Sequence, residues 1–142
     1  RKIWSYCAPY LYMLLILAWA YAFFSSMAQA PSMYESEKKL LMMKSDMDVL
    51  KEQAIRTYTE IEKAKFGGAT LFVNFYNEGR DFSKKYEDIL LLKNWKKVHE
   101  SSNKFCKDGV LTELIENAGV SDGYLYSHIV MEFDSSTIKR CS

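Results

Sequence analysis

From Ile3 to Tyr34 the chain runs 32 residues without a charge, and only beyond that point do polar and apolar positions alternate in shorter rhythms. Pro9 suits a first helical turn and Pro31 suits a stop. The residues between them number about the 20 that a hydrocarbon core of about 30 Å requires, so the pattern predicts one membrane-spanning helix. Trp4, Tyr6, Tyr10 and Tyr12 gather toward one end and Trp19, Tyr21, Phe23 and Phe24 toward the other, as headgroup-level aromatics do. Arg1 and Lys2 make the N-terminal side the positive-inside side. A secretory signal peptide would show the same order of charged, apolar and small-residue regions, with a cleavage site at Ala28-Gln29-Ala30, although Pro31 would then follow the cut directly.

Ser32-Met33-Tyr34-Glu35 has the form of a capping box, and no Gly or Pro intervenes before Gly67-Gly68. The pattern therefore predicts a long amphipathic helix over 32–68. Leu40, Met47, Ala54 and Ile61 occupy one heptad position and Met43, Leu50, Thr57 and Ala64 the other, with Leu41, Val49, Ile55 and Tyr58 widening the apolar side. Leu40, Met43, Met47, Leu50 and Ile61 are the partner-contact candidates on this helix. Ala69 to Tyr76 is expected as a short helix or turn. Further helices are expected from Asp81 to about Glu100, between Gly109 and Gly119, and from Ser121 through Phe133, with a loose tail from Asp134. The expected fold class is all-α: a transmembrane anchor at 1–31, the long helix at 32–68 and a small helical domain at 69–142.

Composition changes this picture little. The 142 residues include 19 Lys+Arg against 18 Asp+Glu, a balance that lacks the strongly basic footprint of a nucleic-acid binder. Charge is locally polarised: Lys93, Lys96, Lys97, Lys104 and Lys107 form a patch suited to lipid headgroups or an acidic partner, followed by the acidic stretch Asp108 to Asp134.

Candidate chemistry is sparse. The sequence has no phosphate-binding glycine loop, no G-x-S-x-G, no H-E-x-x-H and no C-x-x-C, so no catalytic, metal or cofactor residues are assigned. His99 with Cys106 would be the only nucleophilic pair to consider, and His128, between Leu125 and Ile129, fits a core or interface residue better than a ligand. Cys106 and Cys141 could form a disulfide if the domain faces an oxidising compartment.

These features together lead to the expectation of a non-catalytic accessory subunit of a membrane complex, with other subunits and membrane lipids as partners and no nucleic acid or small-molecule substrate. The chain does not open on Met and has no N-x-[ST] sequon, which directs the expectation to the mitochondrial inner membrane, in a respiratory-chain or ATP-synthase complex, with the C-terminal domain in the intermembrane space. The alternative expectation is a secreted helical binding protein with residues 1–30 as its signal peptide.

Overall fold

The structure, a computed structural model, describes residues 2–142; Arg1, half of the positive-inside signal, lies outside them. The chain divides into two compact units, Arg1–Ala30 and Pro31–Ser142.

The first unit is helix α1 (Lys2–Gln29). At about 1.5 Å per residue its length exceeds the roughly 30 Å of a hydrocarbon core. Its large apolar side chains, among them Leu14, Leu17, Trp19 and Phe24, are exposed, and it is long and apolar enough to cross a membrane. Pro9 lies inside this helix and not in its first turn.

The second unit is not helical throughout. Its elements are α2 (Met33–Glu52), β1 (Arg56–Lys65), β2 (Gly68–Tyr76), α3 (Phe82–Leu92), β3 (Lys96–Lys97), β4 (Lys104–Lys107), β5 (Val110–Ser121), β6 (Tyr124–Asp134) and α4 (Ser135–Arg140). The six strands form one antiparallel sheet in the order β1-β2-β6-β5-β4-β3. This overturns the all-α expectation. The long helix begins where the sequence placed it, with the Ser32 hydroxyl accepting from the Glu35 N–H at 3.1 Å, but it ends at Glu52. Beyond it, Arg-Thr-Tyr-Thr-Glu-Ile is a period-two, β-branched and aromatic run that pairs with β2. The heptad does not survive there: Ala54 precedes β1, and on the strand Thr57 and Ala64 pair with the inward-facing Phe75 and Ala69 whereas Ile61 pairs with the outward-facing Phe72. Gly67 is a hairpin residue, at φ +96°, and not a helix stop.

The segments expected as helices at 69–76, 109–119 and 121–133 are strands β2, β5 and β6. For β5 and β6 two Asp-Gly pairs make this so. Asp108-Gly109 and Asp122-Gly123 have positive φ at both residues and join β4 to β5 and β5 to β6 through two-residue loops, the geometry that matches strand twist. Helix α3 follows Asp81 as expected but stops at Leu92, short of Glu100. The tail is not loose: Asp134 accepts from Thr137 N–H and Thr137 reaches back to Asp134 N–H, capping α4.

Helices α2 and α3 cover one face of the sheet. Met43, Met47 and Leu50 from α2 and Phe82, Tyr86 and Leu90 from α3 pack against Leu71, Val73 and Phe75 of β2, Leu114 of β5, and Ile129 and Met131 of β6. Burying each such side chain contributes about 1.5–3 kcal/mol relative to exposure, so this single layer of helix on sheet carries most of the hydrophobic stabilisation. Phe75, Phe82 and Tyr86 form an aromatic triple with centroids 4.8 to 5.7 Å apart.

Candidate functional site

With the helices on one side, every other strand residue projects from the opposite side of the sheet. On β2 these are Thr70, Phe72, Asn74 and Tyr76; on β6, Tyr126, His128, Val130 and Glu132; on β5, Leu111, Glu113 and Ile115. An antiparallel sheet facing water on one side alternates apolar-in with polar-out. Here six of these eleven outward residues, Phe72, Tyr76, Tyr126, Val130, Leu111 and Ile115, are apolar or aromatic and only half-buried, and β1 adds the exposed Tyr58 and Ile61.

Register brings a polar chain across the middle of this face. Asn74 pairs with His128 on β6 and with Tyr58 on β1, and a bulge at Thr59/Ile61 displaces Glu60. The Asn74 amide nitrogen donates to Glu60 Oε2 at 3.3 Å, while its oxygen lies 2.6 Å from His128 Nδ1. That orientation assigns the imidazole proton to Nδ1, which donates to Asn74, and leaves Nε2 as an acceptor in the neutral ring. His128 packs between Phe72 and Tyr126, with centroids 4.6 and 5.1 Å away. Burial holds its pKa below the usual histidine value, opposed by the carboxylate of Glu60. A cavity of about 330 Å³ opens here, lined by Glu60, Phe72, Asn74, Tyr76, Ser121, Tyr126 and His128. Gly119 lies under Tyr126, and a Cβ there would meet the phenol oxygen at 2.6 Å.

Of the partner-contact candidates only Ile61 lies on this face. Met43, Met47 and Leu50 are sealed in the domain's own core and Leu40 packs at its margin, so none of them is free for another chain; Ile61 alone lies exposed, on β1. The lysine patch is divided. Lys96, Lys97 and Lys107 meet His99 and Arg140 around a cavity of about 460 Å³, Lys93 lines a separate groove with Leu92, and Lys104 sits on β4. Within the larger cavity Lys97 is paired with Glu87 at 2.8 Å and Lys107 with Asp46 at 2.7 Å, and Asp108 adds a further negative charge.

Cys106 and Cys141 are joined in a disulfide that fastens α4 beside β4, so Cys106 offers no thiolate to His99 in this form. Cys7 is a free thiol on α1. No group of three or more His, Cys, Asp or Glu side chains with metal-ligand geometry occurs among the described residues.

The sequence pointed to His128 but not to its neighbours. Asn74 and Glu60 come from 54 and 68 positions away, and only the β1–β2 and β2–β6 strand pairings unite them. Comparison with family models, curated proteins and solved structures finds none that matches this chain.

Proposed function

We propose that this chain is a membrane-tethered, non-catalytic interaction module, in which α1 is the anchor and the open face of the sheet contacts another subunit of a membrane complex. The observation that carries this is the half-buried aromatic and apolar surface of that face. A contiguous apolar patch with a few fixed polar groups is the composition of an interface core, where aromatic residues concentrate and supply most of the binding energy.

Two features support the tether and its orientation. Pro31 is buried in the domain, and its carbonyl accepts from the Gly67 N–H at 2.9 Å. Cleavage after Ala30 would place a charged amine at this buried residue, which favours a retained helix over a removed signal peptide. The Cys106–Cys141 bond suits an oxidising compartment, on the side away from the basic N-terminus. It selects no particular organelle, so the mitochondrial inner membrane expected from the sequence enters only as one such setting.

The test is mild-detergent extraction of the tagged chain from its native membrane, comparing the parent with Tyr126→Asp/Val130→Asp. The proposal expects the variant to lose its co-purifying chains while staying in the membrane fraction and melting cooperatively. Undiminished association would overturn it.

A further inference from the structure

The cavity on the open face is unusual in its hydrogen-bonding balance. Asn74 is partly engaged: one amide N–H donates to Glu60 and its oxygen accepts from His128, which leaves its second N–H. What remains for a ligand is acceptor-rich: the second carboxylate oxygen of Glu60 on β1, Nε2 of His128 on β6, and the hydroxyls of Ser121 on β5, Tyr76 on β2 and Tyr126 on β6. The Phe72 and Tyr126 rings flank the imidazole, and Tyr76 stands beside Tyr126 with centroids 6.1 Å apart. A ligand suited to such walls carries several N–H donors, a positive charge to meet Glu60, and a flat surface to stack on rings. At the rim the chain provides an example of its own: the Arg56 guanidinium lies 5.4 Å from the Tyr76 ring centroid.

Resting on the reading of this face as an interface, we infer that the cavity receives an arginine side chain from the partner, its guanidinium beside the Tyr76 ring and donating to Glu60 and His128 Nε2. Arginine is favoured over lysine by the planar fork and by stacking, and arginine is the charged residue most enriched at interface hot spots. Charge complementarity also fixes a condition. The groups facing the imidazole are Glu60 from β1, Phe72 and Asn74 from β2, and Tyr126 on its own strand, with Ser121 and Tyr76 at the cavity margin. Of these only Glu60 carries a charge, and the Arg56 guanidinium at the rim beside Tyr76 is the nearest positive one. A neutral His128 accepts from the guanidinium, whereas a protonated one repels it and neutralises the pull of Glu60, so occupancy falls in mild acid.

The test uses the full chain in phospholipid nanodiscs with isotope-labelled histidine, His99 serving as the internal reference. The probe is acetyl-Gly-Gly-Arg-Gly-Gly-amide, with citrulline replacing arginine in its uncharged twin. At about pH 7.5 the arginine peptide should shift the His128 ring signals saturably and leave His99 still. The citrulline peptide, the Glu60→Gln variant and a sample at about pH 5 should each bind at least about tenfold more weakly. Equal binding of the two peptides, or no saturable shift of His128, would overturn the arginine site. If the cavity fails this test while Tyr126→Asp/Val130→Asp still releases the partner, the interface reading stands and only its occupant is wrong.

Discussion

The indole nitrogen of Trp95 donates to Asp46 Oδ2 at 2.9 Å, joining residues 49 positions apart and fixing α2 to the segment that follows α3. The same oxygen accepts from Lys107 Nζ at 2.7 Å, and the ammonium lies 5.8 Å from the centroid of the Trp95 ring. One carboxylate therefore holds a helix, a connecting segment and strand β4 together at the covered side of the sheet.

Replacing Asp46 by Ala would leave a buried indole N–H and a largely covered ammonium without their acceptor. The expected loss is about 2–3 kcal/mol in equilibrium denaturation. Asp46→Asn, which keeps an oxygen for Trp95, should lose roughly half as much, and the difference between the two variants measures the charged part of the contact.

The disulfide closes a loop of 35 residues between β4 and α4. By loop-closure entropy, Cys106→Ser/Cys141→Ser should cost about 3–4 kcal/mol. Hydrogen exchange should show the loss first at α4, whose remaining ties are the Asp134–Thr137 cap and the Thr137 hydroxyl donating to the Gly109 carbonyl. Uniform acceleration across β2 and β6 would contradict this placement.

Acid should weaken the fold through His128. Its pKa is held below the unfolded value by burial, so the folded state resists the proton. The stabilisation is complete above the unfolded value of about 6.5 and is lost as pH falls through the lower folded value. Melting temperature should therefore drop as pH falls below about 6.5, and His128→Asn should flatten that step. An unchanged slope in the variant would assign the acid response to other groups.

Two glycines are expected to separate fold from site. At Gly68 a Cβ would run into the Phe133 carbonyl of the neighbouring strand, a backbone atom that cannot turn aside, so Gly68→Ala should destabilise by about 2 kcal/mol or more. Gly119→Ala would meet the side chain of Tyr126, which can move. Its stability cost should be smaller, but the Tyr126 and His128 ring signals should shift together.

How much of this was legible in the sequence depends on the element. Helix α1 and the start of α2 announce themselves through charge, proline and a capping serine, all local signals. Strand β1 did not, because Ala54, Thr57, Ile61 and Ala64 carry the seven-residue repeat of α2 on past Glu52, although on the strand they do not share a face. In β5, Leu111, Leu114, Ile115 and Ala118 have helical spacing, yet the Asp-Gly loops on either side permit only a hairpin. Tertiary pairing then overrode local propensity. The site was less legible still, since Glu60 lay within the segment expected as one long helix and Asn74 carried no signal until β2 was placed between β1 and β6.

The central claim is that the open face of the sheet meets a partner in the membrane. A photo-crosslinking residue placed singly at Tyr126 on that face, and at Leu92, which is 83% exposed on α3, tests it most directly in native membranes. The account predicts a discrete adduct to another chain from position 126 and none from position 92. An adduct from position 92 alone would contradict it, because the partner would then be held by the helical side and the aromatic face would be ordinary solvated sheet.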